Sequence, residues 1–380
     1  MNLVSERLAS IPESTTMKIS AMAKRLNAAG LDVIDLGVGE PDFDTPKNIC
    51  DAAVSSIQRG DTHYLPTSGI PELRAAIAEK LRRENGIEVS PDLVSVVPGA
   101  KMAIFAAMQA LLDEGDEGVL IGPSWVSYEP CISFAGGRVR WAEVDEEFEP
   151  ISLADSITPK TKMILVNSPS NPTGAVFDRS ILEEIRDLAV DHDLLVLSDE
   201  IYEKIIYGQD HLSIGSFSGM EERTVTVNGF SKCYAMTGWR LGYLAGPQEV
   251  MKWVNRILSH SVSHATTFVQ WAGVEALKGP QDSINAMVAE FQARRDLLVA
   301  GLAEIGIRCP LPGGAFYVFP DVSEFGGGDE FTERILSEAM VAATPGSAFG
   351  PGGAGHVRIS YAASRERLAE ALARIEKMLG

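Results

Sequence analysis

The sequence predicts an α/β fold: a mostly parallel central sheet covered by helices, joined to a smaller α+β domain. Two observations carry this. Between residues 92 and 246, short apolar runs alternate with helical stretches, the pattern of parallel strands buried on both faces. From about residue 248 the pattern changes to long helices followed by isolated strand-like runs. A chain of 380 residues has room for two to three domains.

Taken in order, TMKISAMAKRLNAAG (16–30) predicts a helix and LDVIDLG (31–37) a strand. DLVSVVP (92–98) predicts a buried strand and KMAIFAAMQALL (101–112) an apolar helix. Further strands are expected over EGVLIG (117–122), KMILVNS (162–168), DLLVLSD (193–199), RTVTVNG (223–229) and LGYLAG (241–246). RSILEEIRDLAVDH (179–192) is amphipathic and predicts a covering helix. VMKWVNRILSH and FQARRDLLVAGLAEIG, the strand-like GAFYVFP (314–320) and HVRISYA (356–362), and the helix RERLAEALARIEKML follow. The expected division is 1–45 as an N-terminal arm and part of the small domain, 46–270 as the large domain, and 271–380 as the small C-terminal domain. No internal repeat or low-complexity tract interrupts it.

Composition narrows the function. The net charge of −19 argues against nucleic acid as a partner, because neutralising phosphates needs clustered Lys and Arg. That charge reads instead as a solubility feature. Cys50, Cys131, Cys233 and Cys309 are scattered and form no C-x-x-C pair, which points to reduced thiols in a cytoplasmic protein and to no metal site. The start MNLVSERLAS lacks the pattern of a secretory signal, and no apolar run reaches membrane-spanning length, so no membrane partner is expected.

In open parallel sheets, ligands collect beyond the carboxyl ends of the strands. Four predicted strands here end in polar groups. Gly99-Ala100-Lys101 opens a helix, and Pro-Ser-Asn171-Pro-Thr-Gly follows the strand at 162–168. Asp199-Glu200-Ile201-Tyr202 and Phe230-Ser231-Lys232 follow the next two. Each group also has a plain structural reading. Gly99-Ala100-Lys101 and Asn171-Pro172-Thr173-Gly174 are good turns, Asp199 is a plausible helix cap, and Lys232 reads as a solvated lysine. Their co-occurrence at successive strand ends favours one site.

The ordered series GEPDFDTP (39–46), YLPTSGIPELR (64–74), VVPGAKMAI (96–104), PSWVSYEP (123–130), SNPTG (170–174), SDEIY (198–202), GFSK followed by MTGWRLGY (229–243), GGAFYVFP and HVRISYA resembles the class I pyridoxal-phosphate-dependent aminotransferases. Within that family the likeness is to the prokaryotic aspartate aminotransferases, and it covers nearly the whole chain. The resemblance implies fold-type I, with pyridoxal 5′-phosphate as cofactor and amino acids and 2-oxo acids as substrates. It implies that Lys232 bonds the cofactor aldehyde and shuttles the substrate Cα proton, and that Asp199 keeps the pyridine nitrogen protonated. Asn171 and Tyr202 would bond the ring's 3′ oxygen, and Trp125 would stack on the ring; a plain core tryptophan is the alternative. The backbone of Gly99, Ala100 and Lys101, with Ser231 and Arg240, would take the phosphate. Many relatives carry serine where this chain has Gly229, which leaves one phosphate contact open.

The same resemblance makes Arg358 the fork for the substrate α-carboxylate. A purely structural buried arginine would need a carboxylate partner instead. Gly39 and Asn171 would also border the substrate, although Gly39 reads equally as a strand-end turn. Tyr64 would reach the cofactor phosphate of a neighbouring subunit, implying a homodimer.

Aspartate as donor and 2-oxoglutarate as acceptor are the expected pair. Aromatic, alanine or other aminotransfer remains an alternative, as does a same-fold lyase. Pro12, two residues before Ser14, stands where a lysine accompanies prephenate transfer in some relatives. Arg256 and His260 lie in the region where a side-chain carboxylate could be bound. Residues 327–331 spell GGDEF, the signature of nucleotide cyclases, but their context reads as a loop leading into a helix N-cap.

Overall fold

The computed structural model describes residues 11, 13 and 15–380. Helix Thr15–Ala28 leads to a short strand β1, Ile34–Asp35. Seven strands then build the large sheet: β2 (Val94–Val97), β3 (Glu117–Ile121), β4 (Arg138–Ala142), β5 (Thr161–Asn167), β6 (Leu195–Asp199), β7 (Thr224–Gly229) and β8 (Gly242–Ala245). Their order is β2-β8-β7-β6-β5-β3-β4. All neighbours are parallel except β8, which runs antiparallel to both β7 and β2.

The expected runs become strands because their side chains are buried on both faces. In β5, Met163 and Leu165 face the helices Ala100–Leu111 and Gln248–Ser261, while Ile164 and Val166 face Arg179–Asp191. This three-layer burial is why both faces of the strand are apolar. Strand β4, at one edge of the sheet, escapes the sequence pattern because it is partly exposed, whereas β2 at the other edge is buried throughout. The RVRWA of β4 alternates exposed arginines with half-buried residues, so it lacks the continuous apolar run of its neighbours.

The smaller unit holds β9 (Tyr317–Val318), β10 (Val341–Ala342), β11 (Thr344–Pro345) and β12 (Val357–Ser360). Strands β11-β12-β9 form an antiparallel sheet, and β1 pairs in parallel with β10. Thus only two residues of the run 31–37 and two of 314–320 are strand: β10 is itself two residues long, and β12 pairs with β9 through Ile359 and Ser360 alone. Helices Asp282–Glu304, Gly327–Glu338 and Arg365–Leu379 enclose a core around Phe291, Phe316, Ile335, Tyr361 and Leu368. The GGDEF residues form the first turn of Gly327–Glu338, after Gly326 in the left-handed region, rather than a loop before it.

Helix Thr267–Lys278 packs on Lys47–Arg59 and Pro71–Lys80 through Ala272, Ala276, Leu73 and Ile77. The expected boundary at residue 270 falls inside this helix. Pro12 and Ser14 lie outside the described residues. No helix among the described residues is long and apolar enough to cross a membrane.

Candidate active site

Strands β5, β6 and β7 run side by side in one direction and close on Asn167, Asp199 and Gly229. The segments that follow, together with the start of helix Ala100–Leu111 and parts of the smaller unit, line a cavity of about 360 Å³. Two glycines let these segments converge. Gly99 sits at φ +86°, where a Cβ would come within 2.6 Å of Nη2 of Arg240. A Cβ on Gly242 would lie 2.6 Å from the Ala100 nitrogen. At the cavity's far wall, a Cβ on Gly39 would overlap the Tyr317 hydroxyl.

Gly229 has its own packing reason. An added Cβ would meet Gly242 Cα and Leu241 O at 3.1 Å, so a serine there would press on the β7–β8 backbone.

Asp199 is buried. Its Oδ2 accepts a 2.7 Å hydrogen bond from the Tyr128 hydroxyl, and Oδ1 accepts from the Ile201 amide at 3.3 Å. No helix follows Asp199; the bond to the Ile201 amide holds a turn at 201–204 instead. Burial raises its carboxyl to about 6, against the pull of these two donors. Asn167 donates to the Asp199 carbonyl and accepts from the Asn171 amide, tying two strand ends together.

Lys232 donates to the Gly39 carbonyl at 2.6 Å, and its ammonium lies 5.9 Å from the Tyr202 ring centre and 5.8 Å from that of Phe316. Burial, helped by the charge of Arg358, lowers the amine to about 8. Tyr202 shares a 2.8 Å hydrogen bond with Tyr317. Lys101 extends over the Trp125 ring, 4.9 Å from its centre, and Trp125 packs edge-on against Tyr128.

Arg358, on β12, is 2% exposed. Its Nη1 donates to Asn171 Oδ1 at 2.9 Å and its Nη2 to the Gly37 carbonyl at 2.7 Å, while Nε has no partner. The guanidinium carbon lies 4.6 Å from the Tyr317 ring centre and 5.0 Å from that of Phe349. Arg240, at the rim, donates to the carbonyls of Thr237 and Pro98. Among the described residues, no carboxylate pairs with Arg358, Lys232, Lys101 or Arg240.

The cavity thus brings together Gly39, Ala100, Lys101, Trp125, Asn171, Asp199, Tyr202, Ser231, Lys232, Arg240 and Arg358, with Gly99 against Arg240. Tyr64 is not among them. It is 92% exposed and packs edge-on against His264, beside a separate groove. Arg256 and His260 are exposed on helix Gln248–Ser261 and do not line the cavity; Arg256 stacks on Trp253. Sequence reasoning missed Tyr128, Asn167 and Tyr317 as individual contributors. Tyr128 and Tyr317 lie inside quoted motifs, yet only the fold shows that one reaches Asp199 and the other Tyr202.

Residues 31–375 match the family model for aminotransferases of class I and II. The chain belongs to that family. Its members use pyridoxal 5′-phosphate, and its fold is fold-type I. The chain is 43% identical over 390 residues to an aspartate aminotransferase of Bacillus sp. strain YM-2, covering 99% of each. It is 44% identical over 388 residues to an aspartate/prephenate aminotransferase of Thermus thermophilus, covering 100% of each. The solved Thermus thermophilus aspartate aminotransferase with maleate superposes with a TM-score of 0.95 at 44% identity, again over 100% of both chains.

Proposed function

We propose that this aminotransferase takes aspartate as amino donor and a 2-oxo acid such as 2-oxoglutarate as acceptor, in two half-reactions, with pyridoxal 5′-phosphate held at Lys232. The observation that carries the reading is the set of four cations converging on one cavity without a carboxylate partner. Burying an uncompensated guanidinium such as Arg358 is costly, so the site is shaped for anions that arrive with ligands.

The cavity suits this cofactor chemically. The amides of Ala100 and Lys101, as the first of their helix, have no intrahelical acceptor and so suit a phosphate, beside Ser231 and Arg240. When bound, the cofactor supplies an aldehyde for the amino group and a ring that accepts the electron pair released at the substrate Cα. Asp199, held by Tyr128 and raised by burial to about 6, would keep a proton on the ring nitrogen as its carboxylate. Trp125 would cover the ring face, and Tyr202 and Asn171 would bond its edge.

Arg358 would grip the substrate α-carboxylate by its free guanidinium edge, braced by Asn171 and the Gly37 carbonyl. Lys232, with its amine near 8, can take the Cα proton at Nζ and return it. Lys101, extended over Trp125 with no acid beside it, offers charge for the second carboxylate of a dicarboxylic donor. The exposed Tyr64 supports a homodimer in which it completes the neighbouring subunit's site. Four free thiols fit a cytosolic enzyme.

The test is a single half-reaction. The cofactor-loaded protein is mixed, without acceptor, with aspartate, phenylalanine, alanine and a prephenate-derived donor. Aspartate is expected to react best, giving one oxaloacetate and one pyridoxamine 5′-phosphate per site. Aspartate reacting poorly would overturn the donor assignment, and release of ammonia or CO₂ would overturn transfer itself.

A further inference from the structure

Behind Asp199 lies a second set of buried charges that the proposed chemistry does not use. Glu200, the next residue, has its carboxylate bonded away from the cavity. Its Oε1 accepts from Ser198 Oγ at 2.9 Å, and its Oε2 accepts from Ser213 Oγ at 2.7 Å and Asn85 Nδ2 at 3.0 Å. His211 Nε2 faces the same oxygen at 3.1 Å. One turn on, Glu203 is held by Lys80 and by Asn85 Nδ2, and Lys80 also donates to Asn85 Oδ1 at 2.7 Å. Glu200, Glu203, Lys80 and Asn85 are all buried, and the His211 side chain is 9% exposed.

The charges do not balance without His211. Two enclosed carboxylates face one ammonium, leaving one negative charge uncompensated in the interior. His211 Nε2 meets a carboxylate oxygen and so carries a proton in either state, and the proton on Nδ1 decides the charge. That nitrogen is buried and has no partner. Burial pushes the imidazole down, but Glu200 and Glu203 outweigh it and hold its pKa above the ordinary value. Of the other ionisable groups nearby, Lys204 and Glu84 pair at 2.9 Å and add no net charge. On the cavity side, Asp199 faces Tyr128, Lys232 and Tyr202. The Glu200 charge acts on Asp199 in the direction of protonation. Glu200, Glu203 and His211 have ligand atoms within 4.8 Å of one another, and Lys80 already bonds one Glu203 oxygen.

We propose that His211, held as an imidazolium, is a positioning residue for Asp199: it neutralises the excess carboxylate charge behind Asp199 and so keeps Asp199 ionised toward the cavity. The inference rests on the proposed function only for the role given to Asp199. Without the imidazolium charge, Asp199 would hold its own proton to higher pH and lose its grip on a protonated ring nitrogen.

Two measurements test it. Nitrogen NMR of the ¹⁵N-histidine-labelled holoenzyme, assigned by the resonance lost in H211Q, reads the imidazole directly. Both ring nitrogens protonated at pH 7 is the expected result, and a neutral ring at pH 7 overturns the proposal; H211N supplies the same assignment if H211Q does not fold. Carbon NMR of ¹³C-carboxyl aspartate, assigned with D199N, then follows Asp199. H211Q is expected to raise its pKa by about one unit, and the double variant E200Q/H211Q to return it close to wild type. An Asp199 titration unmoved by H211Q, or a rise that E200Q does not reverse, sinks the idea. Failure of the aminotransferase reading would appear separately, as a wild-type protein that forms no pyridoxamine 5′-phosphate from amino donors.

Discussion

The two sides of Asp199 handle charge in opposite ways. Behind it, Lys80, Glu203, Glu200 and His211 are enclosed and matched, each bonded within the cluster. In front of it, Arg358, Lys232, Lys101 and Arg240 share one cavity and bond to carbonyls, an amide oxygen, a hydroxyl or an aromatic face, and to no carboxylate among the described residues. The matched cluster can stabilise the chain by itself. The unmatched cations leave the interaction incomplete until anions arrive. An enclosed charge with its partner marks structure here, and cations without a carboxylate partner mark the site.

Removing charges from the two clusters should therefore give different failures. The largest effect is expected for Lys232→Ala, which removes both the bonding amine and the proton carrier. Its turnover should fall by roughly 10⁶-fold while its thermal unfolding stays near wild type. A variant retaining even a hundredth of the activity would remove Lys232 from the chemistry. Arg358→Ala should cost about 10³-fold in kcat/KM for aspartate, the scale for losing one partner of a buried charge pair. It should leave cofactor loading intact, as read by the visible spectrum.

On the matched side, Lys80→Met should lower stability by about 3–5 kcal/mol, because Glu203 stays buried without its partner. Urea unfolding would measure this. The sign with pH is fixed by Glu203, whose carboxyl is held at about 2, below its ordinary 4.5. The stability it contributes is present above pH 4.5 and lost as pH falls toward 2, so the gap between variant and wild type should narrow in acid. A gap independent of pH would deny the pair its role.

A smaller effect concerns the donor. Lys101→Ser should reduce the preference for aspartate over alanine by about fivefold, the scale of an exposed ion pair. Equal rates for both donors in the wild-type protein would refute that role. The pH dependence of cofactor capture follows from Lys232. Its amine is lowered to about 8, so the rate of bonding to added pyridoxal phosphate should rise with pH through about 8 and level off well below pH 10.5.

Much of this was legible in the sequence, for physical reasons. The strands β2, β5, β6 and β7 are buried on both faces, so their apolar runs stand out. The edge strand β4 carries Arg138 and Arg140 toward solvent and gave no such run. Residues at strand ends were readable because topology gathers them at one place, which covers Asn171, Asp199 and Lys232. Residues that act through long contacts were not. Tyr128 reaches Asp199 across 71 positions, Tyr202 meets Tyr317 across 115, and Lys80 meets Glu203 across 123. Tyr64 was named from the resemblance, and in a single chain it stands away from the cavity.

The most direct test asks which unmatched cation carries the cofactor. The protein is incubated with pyridoxal 5′-phosphate, reduced with borohydride, digested and mapped by mass spectrometry. One pyridoxyl group per chain on the peptide containing Lys232 is the predicted result. Label on Lys101, or no stable label at all, would contradict the account.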